Sequence, residues 1–267
     1  MSLDLLYPHA GDHSIQNAVL AIEWAQEIEI AALQVVRDAA KAVLKTYPKV
    51  ETQQTLRVNL QPGPGSVPSA ESEIGGYSYS RFSNSGELEQ QVQLNRQSCL
   101  MVVADYKRWR VLIDDAQNLF AAILPALPNS VLITAVGLQY VDRFVWRGNP
   151  AELKLDEVFR AESPFIARHS LQCTQTWHSH HGFFERSERP IRHNRLDNIN
   201  VNIVDEPKGR AIQILTSHRA LPEPAISANG ALQSVIELQN ELHCLSKEVF
   251  KNLLTEPLLA KIKLKGS

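Results

Sequence analysis

His178 and His180 stand two residues apart in a stretch that also carries Thr174, Thr176, Glu185 and a cluster of arginines. On a strand, alternate side chains share a face, so His178 and His180 project together while His181 points away. A His-x-His pair is a usual way to offer two imidazoles to a metal, and Glu185 or Asp197 could add a carboxylate. No third and fourth ligand follow at a recognised spacing, so a metal-dependent hydrolase at His178 and His180 is one reading among others. A polar sheet face beside a turn accounts for the same residues.

The turn is the second constellation. Arg186, Arg189, Arg192 and Arg195 lie with His193 in the segment 185–195, ERSERPIRHNR, followed by Asn198, Asn200 and Asn202 in alternation with Ile199, Val201 and Ile203. Guanidinium groups beside amides and hydroxyls bond phosphates, sugars or base edges. The 168–202 sheet face, with Thr176, His178, His180, the four arginines, Asn198 and Asn200, is therefore a candidate nucleic-acid surface. It suits a protein partner equally, and a solvated sheet face is the plain alternative. Glu185 and Glu188 cancel part of the charge.

The elements that position these residues are organised around 97–146, the most apolar part of the chain. Cys99–Val103 is a short apolar run of the kind buried on both faces. Asp105 is placed to cap a helix whose stripe is Tyr106, Trp109, Leu112, Ile113, Ala116, Leu119, Phe120 and Ile123, closed by Pro125 and Pro128. Val131–Val136 is apolar throughout. Beyond it Leu138, Tyr140, Phe144 and Trp146 alternate with Gln139, Val141 and Arg143, and Asp142 interrupts the apolar side. This strand is expected to enter buried and to leave at the surface.

Tyr106-x-x-Trp109 at a helix start, then Val136-Gly137-Leu138-Gln139-Tyr140-Val141-Asp142-Arg143-Phe144, resembles a sporadically distributed bacterial family of about 250–270 residues with no assigned activity. Its members read Y-x-x-W and then G-L-R-Y-[IV]-N-R-[IL]. The resemblance covers most of the chain and implies a shape and no chemistry. The sequence departs from the pattern at Gln139, where Arg is usual, and at Asp142, where Asn is usual.

Elsewhere, residues 1–16 read as an irregular arm and Asn17–Trp24 as a strand. Ile30, Leu33, Val36, Ala40, Val43, Leu44 and Tyr47 form a helical stripe ended by Pro48. Thr52–Leu60 is strand-like, 61–76 a Pro/Gly/Ser loop, and Tyr77–Phe82 with Glu87–Asn95 a hairpin. Leu153–Phe159 reads as a short helix, and Phe165–Trp177 alternates like a strand. Leu232, Val235, Leu238, Leu242, Leu245, Val249 and Leu253 define a long helix, 230–256, with a near-heptad seam.

The fold class is thus α+β: antiparallel sheet from two strand-helix-strand-strand-strand units, with helices on one side and a long C-terminal helix. The chain, 1–267, is read as one domain with a pseudo-duplication of 17–95 and 97–219. Processivity clamps and TATA-binding folds share related unit orders, an analogy of shape alone.

Composition excludes several classes. Lys and Arg number 27 against 29 Asp and Glu, a net charge of −2, so no global field draws the chain onto nucleic acid or membrane. The cysteines, Cys99, Cys173 and Cys244, form no C-x-x-C, and reduced thiols in a cytoplasmic protein are expected. The first residues lack a basic n-region and no run approaches the length of a membrane span. The 61–76 glycines are not followed by Gly-Lys-Ser/Thr, no G-x-S-x-G occurs, and Asp114-Asp115 on a helix makes a poor acid/base pair. No cofactor is expected. A non-enzymatic interaction or regulatory role follows, with a protein partner or second copy docking on the seam of the C-terminal helix.

Overall fold

The computed structural model describes residues 3–59 and 69–264. Its elements are β1 (Leu6–Pro8), β2 (Ile15–Trp24), α1 (Ile30–Leu44), β3 (Lys49–Asn59), β4 (Ser69–Phe82), β5 (Leu88–Asn95), β6 (Ser98–Val103), α2 (Trp109–Ile123), β7 (Leu132–Trp146), β8 (Trp177–Ser187), β9 (His193–Glu206), β10 (Gly209–Pro222), β11 (Ile226–Ser227), α3 (Leu232–Leu253) and α4 (Glu256–Lys261). The strands form one antiparallel sheet in the order β3-β4-β5-β6-β2-β7-β10-β9-β8, with β1 and β11 pairing on β7. The fold is α+β, with the helices on one side and the long α3 near the end of the chain. The two units share this sheet: β6 lies between β5 and β2, so the segments 17–95 and 97–219 interleave.

β7 sits at the centre because both of its edges are used along most of its length. Leu138 faces Leu20 of β2 and His218 of β10; Tyr140 faces Ala18 and Thr216. The alternation read in the sequence places Leu138, Tyr140, Asp142 and Phe144 under the helices and leaves Gln139, Val141 and Arg143 on the helix-free face. β10 returns from β9 through a two-residue turn, Pro207-Lys208. Gly209 follows at φ +127, and a Cβ there would stand 2.2 Å from the Trp146 carbonyl oxygen, so only glycine fits.

Two apolar clusters lie on the helix side. One joins α1, α2 and the first half of α3 to β2, β5, β6 and β7, with Leu33, Phe120, Leu138 and Leu242 inside it. The other joins the end of α3, α4 and the 150–166 segment to Phe144, Ile212 and Ile214. The α3 seam is spent here: Val235, Leu238, Leu242, Val249 and Leu253 are buried, and Leu232 and Leu245 pack against the first cluster. That face is therefore occupied by the chain's own sheet.

Several expectations are corrected. β6 buries one face only, Cys99, Met101 and Val103, because no helix covers Leu100 and Val102. Asp105 does not cap α2. The Ala104 and Asp105 amides both donate to the Glu89 carbonyl, which holds the chain over the sheet edge until Arg108, and the Asp105 carboxylate pairs with Lys107 at 2.6 Å. β7 is buried to its end, since β1 and the second cluster cover Phe144 and Trp146. The N-terminal arm is not irregular throughout: Leu6 is fully buried in β1. The expected 61–76 loop falls partly outside the described residues, and Ser69–Gly76 extends β4. Of the expected Phe165–Trp177 strand only Trp177 lies in a strand, as the first residue of β8. The backbone before it bonds locally, with a 3-10 helix at Arg168–Gln172, while Phe165 and Leu171 pack on the second cluster. Among the described residues no helix is long and apolar enough to cross a membrane.

Removing the side chain of Leu242, fully buried between α3 and the sheet, leaves a cavity and should cost about 2–5 kcal/mol in urea unfolding. The mass of Leu242→Ala by light scattering should equal that of the parent. A halved mass would show that the seam joins two chains.

Candidate functional site

The Tyr106-x-x-Trp109 pair and the Tyr140–Asp142 segment converge. Tyr106, Trp109, Tyr140 and Asp142 all line one cavity of about 630 Å³ on the helix side. Tyr140 and Asp142 reach it because they are two residues apart on β7. His13 and Ser14 come from the arm just before β2, which register places against Asp142 through Ile15. On α3, His243, Ser246, Lys247 and Phe250 recur at three, four and seven residues, so they present one stripe to the cavity. Ile262, Lys263 and Leu264 after α4 complete the wall.

The floor is polar and dry. Asp142 and Tyr140 are each 3% exposed. The Ser14 hydroxyl donates to Asp142 Oδ1 at 2.7 Å. Burial pushes the Asp142 carboxyl up to about 7, against the pull of that bond. The Tyr140 hydroxyl lies 3.0 Å from His243 Nδ1. Burial, reinforced by the Lys247 charge, brings the His243 imidazole down to about 4, so at neutral pH it is uncharged and its Nδ1 can accept from the phenol. Burial also holds the Tyr140 phenol well above its ordinary range and puts that of Tyr106 at about 12. Both phenols stay protonated.

The walls are aromatic. Trp109 stacks on His243 with ring centres 4.2 Å apart and planes 8° from parallel, and its indole N–H donates to Asn240 Oδ1 at 2.8 Å. Tyr106 meets Tyr140 and His13 edge-on at 5.9 and 5.7 Å. His13 Nδ1 is buried with no hydrogen-bond partner among the described residues. Lys107, Arg108 and Lys263 are exposed and Lys247 half-buried, so cations stand at the mouth and a carboxyl at the base. Such a cavity can hold a small molecule that supplies hydrogen bonds inward and negative charge outward.

The residues singled out as a surface site fall elsewhere. His178 and His180 are exposed on β8, opposite Asn202 and Asn200, on the helix-free face. Asn198 faces Gly182 on the same side. Thr176 is exposed but precedes the strand. Arg186 lies 3.8 Å and Arg192 4.0 Å from Glu223, so the two share one carboxylate; Arg189 is exposed in the turn. Arg195 does not join them. It points under the helices, donates from Nε to both Asp197 oxygens at 2.8 and 3.0 Å, and also pairs with Glu185. His218 Nδ1 is 2.6 Å from the same Asp197. Burial opposes the Asp197 charge, but His218 and Arg195 together hold its carboxyl below the ordinary range. Two carboxylates near the His pair, Glu185 and Asp197, are thus committed to Arg195. Among the described residues no three His, Cys, Asp or Glu side chains are grouped to hold a metal.

The cavity has almost no signature in the sequence. Its one signal was Asp142, a carboxylate on the apolar side of a strand otherwise patterned for a core. Compared with protein-family models and with curated proteins, the chain matches none.

The buried titrations set opposite pH dependences. Between 3.8 and about 7, folded Asp142 keeps a proton that the unfolded chain has lost, so its contribution to stability falls as pH rises through that window. Between about 4 and 6.5, folded His243 lacks a proton that the unfolded chain holds, so its contribution falls as pH drops. Asp142→Asn keeps the shape and an acceptor for Ser14 while removing the first effect. Relative to the parent it should gain most at pH 8, by a few kcal/mol at about 1.4 per pH unit of the window, and should lose more than half of that advantage by pH 5. Thermal and urea melts at both pH values read this; a difference independent of pH would refute the assignment.

Proposed function

We propose that the chain is a binding protein whose recognition element is the cavity beneath α3, and that its ligand is a small molecule. The convergence of Tyr106, Trp109, Tyr140 and Asp142 carries this reading, because two pairs of residues distant from each other in sequence supply aromatic rings and a desolvated carboxyl to one cavity. A buried carboxyl without a ligand is costly, and a bound donor would offset that cost. The cavity volume lies in the range of pockets that enclose metabolite-sized ligands.

The reading is tested by native mass spectrometry of the full chain after exposure to a small-molecule extract and desalting. A bound species should appear on the parent, disappear with Asp142→Ala or Tyr140→Phe, and persist with His178→Ala. Binding indifferent to the two cavity variants, or none at all, sinks the proposal.

A protein partner is a second reading, favoured by one observation. β8 ends the sheet, and among the described residues no strand pairs with its outer edge. Phe184 on that strand is 69% exposed. An unpaired edge with an exposed aromatic side chain is a template for a strand of another chain. Nucleic acid has less support there, since Arg186 and Arg192 share Glu223, Arg195 is buried, and on the helix-free face Arg143 pairs with Glu206 and Arg219 with Glu23. Phe184→Lys should abolish any co-purifying protein or concentration-dependent dimer without lowering the melting temperature. A partner retained by that variant would remove the β8 edge from consideration.

A further inference from the structure

We infer that the cavity takes a nucleoside monophosphate, its base edge on Asp142 and its phosphate among Lys107, Arg108 and Lys247. The inference rests on the reading of the cavity as a ligand site and names the ligand class. Three features have to be met by one molecule. Once ionised, the carboxyl at the base of the cavity, whose Oδ1 already accepts from Ser14, has acceptor capacity on both oxygens for donors from a ligand. The walls are planar rings, with Trp109 stacked on His243 and Tyr106 edge-on to Tyr140, which favour a flat conjugated guest over a flexible chain. The mouth carries cations: Arg108 is exposed, Lys247 lies close enough to depress the His243 imidazole, and Lys107 is held by Asp105 at 2.6 Å in an exposed pair. Exposed ion pairs are weak, so a phosphate can draw Lys107 away from Asp105 at little cost.

Size discriminates further. A cavity of about 630 Å³ would be left mostly empty by inorganic phosphate or a short dicarboxylate, neither of which presents a donor to Asp142. A lipid would meet the apolar side chains of Ile15, Phe250 and Ile262 but would give the carboxyl no donor beyond Ser14. A base with two adjacent N–H donors answers the two carboxylate oxygens together. Guanine has that edge, N1–H beside the exocyclic amine, whereas adenine offers one amine and no ring N–H.

Calorimetry of the full chain with GMP, AMP, CMP, UMP and guanosine tests the class. GMP should bind about tenfold or more tightly than AMP, and about tenfold or more tightly than guanosine, the differences expected for one lost charge-assisted contact. Asp142→Asn should bring GMP and AMP to within about threefold of each other. The double variant Arg108→Ala with Lys247→Ala should bring GMP to the level of guanosine. Circular dichroism confirms that each variant is folded, and a misfolded Asp142→Asn is replaced by Asp142→Ala, which should likewise remove the preference for GMP over AMP. If no nucleotide binds while an extract ligand is held and is lost with Tyr140→Phe, the nucleotide class is wrong and the cavity reading stands. If neither binds, both fall. Nucleotide binding that survives Asp142→Asn with its base preference unchanged also overturns the proposal.

Discussion

A buried hydroxyl, carboxylate or imidazole is costly without a partner, and in this fold several such groups meet in one layer between two apolar clusters. Ser14 with Asp142, Thr216 with Ser246, and His218 with Asp197 and Arg195 cross the helix side of β7, β10 and β9 where the first cluster gives way to the second. Apart from Arg195 with Asp197 on one strand, these contacts join different elements, from 21 residues between His218 and Asp197 to 128 between Ser14 and Asp142. A register shift of one residue would carry Asp142 of β7, or Thr216 and His218 of β10, to the other face and leave their partners buried alone. The layer therefore ties strand register, the seating of α3 and the path of the arm to a single alignment.

The same layer is where the cavity opens. Asp142 closes its base, Ser246 and Phe250 descend from α3, and the arm brings Ser14. The apolar clusters on either side supply the rigidity, and the polar layer supplies groups that can be exchanged from intramolecular partners to a guest. Trp109 shows how the two functions meet. It opens α2, packs against the first cluster, stacks on His243 and lines the cavity. Its aromatic character serves the core, and its position serves the site.

The helix-free face follows another logic. Asn198, Asn200 and Asn202, with Gln139, Gln213 and Ser217, lie in flat rows where neighbours partly shield each other. Charges there are matched in pairs, as between Arg219 and Glu23. That side resembles a solvated sheet in composition, and its most exposed aromatic group, Phe184, is found on the edge strand β8 rather than at the centre.

Much of the architecture was legible in the residues because it depends on local periodicity. The stripes of α1, α2 and α3 and the alternation of β7 and β9 state which side of each element is oily, and burial follows that statement closely. Where the pattern misled, a non-local bond had decided the outcome: Glu89 held residues 104 and 105 out of the helix, and the second cluster drew Phe165 and Leu171 into a segment with no strand partner. The candidate site was legible only as an oddity, a carboxylate on an apolar side. Periodicity assigns a residue to a face, but it carries no information on which distant element will stand above that face. Only the tertiary structure could bring His13, Trp109 and His243 around Asp142, and only it could turn Arg195 inward, because pairing a buried charge requires a partner whose position is set by the packing of the whole chain.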